Sequence, residues 1–365
     1  MTSKQRMLIA LGGGRPDRLP ITIHQWQPYH LEHFMDGMDQ LEAYQATGLD
    51  ASVTVAPCAP EKTPDWIVSS TDEGAKDGQH LTRFRIATPD GDLTWLQAAN
   101  EYTSFRVTYP IHNQAEAEML LKYLPRLILD KKEVARWYNR TGDAGIVRGF
   151  IFAFGQAGCW QDFCEMAGTE AAILWAMDDP QWLHDFFKRL CDRKVTYIHE
   201  ELAGAKYDLI ETGGGAGSST VISPAMFDEF CVPYDRRIND ALREVGLKSV
   251  YHTCGGMMAI LDRIPNNHTD ASETLSPTGV GGDIEPRDRM HVKRILGGKV
   301  SLIGGIDQGR LLTEGTPEEI RADIHHLFQT FGVGGGYIAS ASDHFFHTPV
   351  ENLKVMARAA KECRY

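Results

Sequence analysis

Two rhythms of apolar and polar positions alternate along this chain. Short runs rich in β-branched and aromatic residues recur, each followed by a longer stretch whose apolar residues return every three to four positions. The runs are Ile21–Trp26, Ala51–Ala56, Ile146–Ala153, Tyr207–Glu211, Ser249–His252, Asp270–Leu275, Val300–Gly304 and Gly336–Ser340. Near-continuous apolar runs are what strands buried on both faces of a parallel sheet require. Eight strand-plus-helix units predict an α/β protein, a (β/α)8 TIM barrel forming a single domain over residues 1–365. The rival is a doubly wound open sheet, whose glycine-rich turn after the first strand is missing. That place reads His24-Gln-Trp-Gln-Pro28.

Helix starts support the alternation. Ser223-Pro224, Thr316-Pro317 and Thr348-Pro349 each place a hydroxyl cap before a proline, and Glu319 and Glu351 are positioned to complete capping boxes. One region breaks the pattern. Leu81–Ile86, the turn Pro89–Asp92 and Leu93–Leu96 predict a β-hairpin, with Tyr102–Tyr109 as a third strand. Residues 58–130 therefore read as an insertion after the second barrel strand, of the kind that covers an active-site mouth.

Composition narrows the class. At 365 residues the chain is long for one core but ordinary for a barrel, and its net charge of −12 argues against nucleic acid as a partner. No apolar run is long enough to span a bilayer and no signal peptide is recognisable, so no membrane is expected and a cytoplasmic location is. Seven scattered cysteines fit free thiols better than a disulfide framework.

In a barrel, chemistry gathers at the C-terminal ends of the strands. Those ends offer His24 and Trp26, Cys58, Gln156 and Cys159, Glu211, His252 and Cys254, Glu273, Asp307, and Ser342-Asp343-His344. His252 and Cys254 stand two apart on one strand and so share a side; imidazole and thiolate together suit Zn2+. Glu273, one strand over, is the first choice for a third ligand, against a competing structural ion pair with an arginine. Asp343 or His344 could replace it or add a fourth. Glu211, Asp307 and His344 are candidate acid–base groups. Gly213, Gly214 and Gly215 would let backbone N–H groups approach a cofactor, while a mobile loop is the plainer reading. Asp307 could equally cap the next turn. His24, Trp26, Phe345 and Phe346 are candidates to line a pocket for an aromatic or methyl-bearing substrate.

The motifs together resemble the uroporphyrinogen decarboxylase superfamily. The pieces that carry this are Arg6–Pro20, Ser223-Pro224, Tyr251-His-Thr-Cys-Gly255, Gly304-Gly-Ile-Asp307, Gly315-Thr-Pro-Glu-Glu319, and Gly335-Gly-Tyr-Ile338 leading to Pro349-Val-Glu-Asn352. The resemblance implies a barrel and one of two chemistries. The decarboxylase carries an Arg-Gln-Ala-Gly-Arg segment where this chain has His24–Pro28, so the chain is more similar to the zinc-dependent methyltransferases that work with corrinoid proteins. Their motif is His-x-Cys with a distant Cys on the eighth strand, where this chain has Ser342. Cobalamin-independent methionine synthases resemble the pattern too, with a Glu where Glu273 lies. Asp343-His-Phe-Phe346 is similar to a signature near the corrinoid O-demethylases.

What this implies is methyl transfer between a small methylated substrate, an aromatic methyl ether among the options, and a corrinoid (cobalamin) on a partner protein. Zn2+ would be the resident cofactor. A homo-oligomer is compatible with the chain. The alternatives are a metal-free decarboxylase of a smaller acid, a zinc lyase or hydrolase, and a non-catalytic protein that binds the corrinoid partner.

Overall fold

Each of the eight apolar runs forms a strand in the computed structural model, which describes residues 1–365. The strands are β1 (Ile21–Thr22), β2 (Ala51–Thr54), β3 (Gly145–Phe150), β4 (Leu209–Gly213), β5 (Ser249–His252), β6 (Ala271–Thr274), β7 (Ser301–Ile306) and β8 (Tyr337–Ala341). All neighbours run parallel, in the order β1-β8-β7-β6-β5-β4-β3-β2. The Asp50 N–H donates to Ile21 O (2.8 Å) and closes the seam between β2 and β1. The buried Asp50 carboxylate also accepts from Ile21 N (3.0 Å), Arg6 Nη1 (2.9 Å) and Arg18 Nη2 (2.9 Å). The result is a (β/α)8 barrel.

The first helix, α1 (Ser3–Leu11), stops the bottom of the barrel. Its Met7, Ala10 and Leu11 pack against Ile146, Leu209, Val250, Ala271, Ile303 and Ile338, one residue from each of six strands. Side chains two apart on a strand share a face. The next inward layer on β3 to β6 is therefore Arg148, Glu211, His252 and Glu273. An apolar plug below and a charged layer above define the polarity of the interior. The large core lies outside, between strands and helices, and includes Trp26, Tyr44, Leu353 and Met356.

The insertion contains a four-stranded antiparallel sheet over Ile67–Lys76, Gln79–Thr88, Gly91–Ala99 and Ser104–Arg106. Its hairpin is longer than the sequence suggested, and the strand expected over Tyr102–Tyr109 is only Ser104–Arg106. Cys58–Pro60 pairs with Leu127–Leu129 at its base. Tyr102 reaches the barrel rim and packs on Tyr29 (4.8 Å between ring centroids), Phe346 (5.2 Å) and His347 (5.3 Å).

Two of the three predicted helix caps form as expected, at Ser223 and as a Thr316–Glu319 capping box. The third does not. The last helix begins at Val350 with Pro349 as its cap, and the Thr348 hydroxyl bonds Thr313 Oγ1 instead (3.1 Å). All seven cysteines are free thiols, and no helix is long and apolar enough to cross a membrane.

Candidate metal centre at the barrel mouth

Arg148 organises the charged layer inside the barrel. Its Nη1 donates to Glu273 Oε2 (3.1 Å) and its Nη2 to Glu273 Oε1 (2.7 Å), while Nη2 also reaches Glu211 Oε2 (2.5 Å). Burial alone would raise the Glu273 carboxyl. The Arg148 charge outweighs it and holds Glu273 well below the usual carboxylate range, with His24 and His252 contributing. Arg148 itself is raised: burial opposes the charged form, but Glu273 and Glu211 more than offset it. The competing reading of Glu273, an ion pair with an arginine, is therefore what the structure contains.

That pairing gives Glu273 a second task. Its Oε1 lies 3.1 Å from His252 Nδ1, so the Nδ1–H donates to the carboxylate and Nε2 is the nitrogen left to give up its proton to an ion. Glu211 Oε1 lies 3.8 Å from the same nitrogen. Burial would lower the His252 pKa; the adjacent Cys254, Glu211 and Glu273 reverse this and raise it well above the ordinary value.

Three groups of ligand atoms converge, each within 4.8 Å of one another. They are His252, Cys254 and Asp343; His24, Asp343 and His344; and His24, Glu211, His252 and Glu273. The last group has both oxygens of Glu273 engaged by Arg148. The first combines a thiol, an imidazole and a carboxylate, which fits a catalytic zinc ion with three protein ligands and an open position. Ser342, which stands where a distant Cys was sought, is fully buried. Asp343, the next residue, has a carboxylate oxygen within 4.8 Å of the His252 and Cys254 ligand atoms.

The remaining sequence candidates separate clearly. Gly213, Gly214 and Gly215 are packed against protein: a Cβ on Gly213 would meet Tyr251 at 2.7 Å, on Gly214 the Gln161 side chain at 2.5 Å, and on Gly215 the Cys254 Sγ at 2.5 Å. Gly215 thus seats the Cys254 thiol, Gly213 makes room for Tyr251 and Gly214 for Gln161, so the small size of all three is taken up by packing within the protein. Trp26 and Phe345 are 4% and 3% exposed and pack on each other, with Tyr44 and His30 around them, in the layer behind the strands. They have almost no surface to offer a substrate. Phe346 is half-buried at the rim. Asp307 Oδ1 accepts from the Arg310 N–H (2.8 Å), the capping alternative, and joins no ligand group. Cys58 lies in the insertion's base, and Cys159 is fully buried in a helix start.

His24 sits between the clusters, its ring centroid 5.0 Å from that of His252 and 5.3 Å from that of His344. Desolvation in the mouth and the nearby His24 push His344 down to about 4, so its ring is neutral at pH 7. Arg148 is the residue that sequence reasoning missed. Its signal was a lone charge inside the apolar run Ile146–Ala153, which demands a buried partner.

A family model for uroporphyrinogen decarboxylase (URO-D) matches residues 150–363, more than half of the chain. The chain belongs to this family. Within it, the chain is 26% identical over 197 residues to the methylated-thiol–coenzyme M methyltransferase of Methanosarcina mazei, covering 54% of this chain and 49% of the relative. It is 25% identical over 151 residues to the methylcobamide:CoM methyltransferase MtbA of the same organism, covering 40% of each. The uroporphyrinogen decarboxylase of Psychromonas ingrahamii matches at 29% over 194 residues, covering 51% of this chain and 50% of the relative. The matches span about half the length of these curated relatives, or less. A solved methyltransferase from Methanosarcina mazei shares the fold over 99% of both chains, with a TM-score of 0.69 and 16% identity.

Proposed function

We propose that this chain is a methyltransferase that moves a methyl group between a small methylated compound and a corrinoid carried by a partner protein. The observation that carries this is the convergence of His252, Cys254 and Asp343 at the mouth of a barrel. Membership of a family whose methylcobamide- and methylthiol-handling members match this chain supports it.

In this reading, zinc would be held by His252, the Cys254 thiolate and Asp343. When bound, it supplies Lewis acidity at the heteroatom that loses or gains the methyl group, answering the poor leaving ability of an ether or amine. Glu273 fixes the His252 tautomer by accepting its Nδ1–H, and Arg148 holds Glu273 in place with two hydrogen bonds. Glu211, which shares the Arg148 Nη2 with Glu273, adds negative charge beside His252 and favours a bound cation. Gly215 lets Cys254 lie against the β4 turn, which limits its freedom. The neutral His344 ring presents a lone pair at the mouth. The Tyr102, Phe346 and Tyr29 rings form an aromatic rim where a planar methylated ring can rest, which favours an aromatic methyl ether among the substrates.

The test is a spectroscopic screen. Reduced cob(I)alamin, free or on a corrinoid protein, is mixed with the zinc-loaded chain and a panel of methylated ethers, amines and thiols. Growth of the methylcobalamin spectrum with one class of donor, lost in Cys254→Ser, is expected. No methyl transfer in either direction with any donor or thiol acceptor, together with release of CO2 from a carboxylated substrate, would replace this reading with a decarboxylase.

A further inference from the structure

His24 is 6% exposed, yet its Nδ1 has no hydrogen-bond partner. The nearest acid atom, Glu273 Oε1, lies at 3.7 Å, beyond a hydrogen bond, and is already engaged by Arg148 and His252. A buried imidazole nitrogen without a hydrogen-bond partner calls for an explanation. A ligand atom of the same ring lies within 4.8 Å of ligand atoms of both Asp343 and His344, so His24 belongs to a second group of three ligands at the mouth.

We propose that the mouth holds a second divalent cation, bound by His24, His344 and Asp343, with the Asp343 carboxylate bridging it to the ion on His252 and Cys254. This rests on the zinc reading of the first position. The donor sets differ in chemistry. The first contains a thiolate; the second is two imidazoles and a carboxylate, which suit Mn, Fe, Co or Zn and leave positions open. A carboxylate has two oxygens, so Asp343 can serve both sets. Adjacent ions joined in this way stand about 3.5–4 Å apart in two-metal sites.

Charge points the same way. In the form that binds an ion, with Cys254 as thiolate and the His252 ring deprotonated, the chamber carries four negative groups (Cys254, Asp343, Glu211 and Glu273) and one positive group, Arg148, a net of three negative charges. One divalent ion leaves it net negative by one. A second turns it net positive by one, which an anionic phenolate or thiolate bound as leaving group would balance.

Metal-free protein titrated with Co2+ tests this directly. Metal content per chain is measured alongside the thiolate-to-cobalt charge-transfer band, which reports only the Cys254 position. The expected result is two ions per chain with the band from one of them, and weakening of the Co2+ paramagnetic resonance signal as the second binds through the shared carboxylate. His344→Ala and His24→Gln should each bind one ion and keep the band. His344 is 41% exposed, so its truncation removes little packing, and circular dichroism checks the fold. One ion with the band in the unaltered chain overturns the second position and leaves the first standing. Two ions in both His variants place the second ion elsewhere and also overturn it. One ion without the band, or none, removes both.

Discussion

Arg148→Met removes the guanidinium that pairs both carboxylates inside the barrel and leaves Glu273 and Glu211 facing each other without it. The side chains of Arg148 and Glu273 are 3% and 2% exposed, and that of Glu211 is 13% exposed, so little water can replace the guanidinium. Breaking a buried ion pair by deleting one partner costs about 3–5 kcal/mol. With an m-value of about 3 kcal/mol per molar, the urea midpoint at pH 7.5 should drop by roughly 1–1.7 M. The pH dependence carries the sign of the argument. In the unaltered chain the Glu273 pKa is depressed, so its contribution is present above the unfolded value and is lost as pH falls through the folded value. In the variant, burial without Arg148 raises that pKa, and stability falls as pH rises above the unfolded value. The gap between the two proteins should therefore widen from acid towards neutral pH. Glu273→Gln on the Arg148→Met background should recover part of the loss, with a coupling above about 1 kcal/mol. A deficit under about 1 kcal/mol at pH 7.5, or one constant between pH 5 and 8, would refute the reasoning.

Other expectations follow from the same structure. Glu273→Gln should weaken zinc binding by about 10–100-fold, measured by chelator competition, because the residue orients His252 and does not itself ligate; complete loss of binding would make it a ligand. Gly215→Ala places a methyl group 2.5 Å from Cys254 Sγ and should weaken zinc binding by about tenfold with unchanged circular dichroism; an unaffected affinity would mean the thiol is seated otherwise. Asp235 is buried, with Oδ2 accepting from the Tyr251 hydroxyl (2.8 Å) and Oδ1 unpartnered, and desolvation pushes its pKa up to about 7. The folded state then binds the extra proton, so native stability should fall as pH rises from about 4 to about 7. Asp235→Asn should remove that slope and be more stable at pH 8 by on the order of 2–4 kcal/mol in urea denaturation; an unchanged slope would assign the pH dependence elsewhere.

Much of this architecture was legible before any coordinates, for a reason visible in the strands. Ile146, Leu209, Val250 and Ala271 fill the plugged end of the barrel, and the residue two positions on is polar in each case: Arg148, Glu211, His252 and Glu273. A polar residue at the C-terminal end of an apolar run is a local signal, and three of those four residues were picked out by standing there. Arg148 was not, because the apolar run continues past it through Phe150 to Ala153. The strand Ile67–Lys76 escaped for the opposite reason: it is an exposed edge strand, with no buried face to impose alternation. Trp26 and Phe345 could not be sorted from the sequence, since an aromatic residue near a strand end can turn toward the mouth or toward the surrounding helices. Here both turn to the helices. The same holds for the glycines after β4. Their smallness was plain, but that Gly215 accommodates the Cys254 thiol depends on β5 lying alongside, a contact spanning about forty residues of chain.

The central claim is that Cys254 and His252 share a zinc ion at the barrel mouth. X-ray absorption at the zinc edge of protein loaded with one equivalent of zinc tests this most directly. The account predicts one sulfur neighbour at about 2.3 Å with nitrogen and oxygen neighbours at about 2.0–2.2 Å, and loss of the sulfur neighbour in Cys254→Ser. A coordination shell of nitrogen and oxygen alone in the unaltered protein would contradict it.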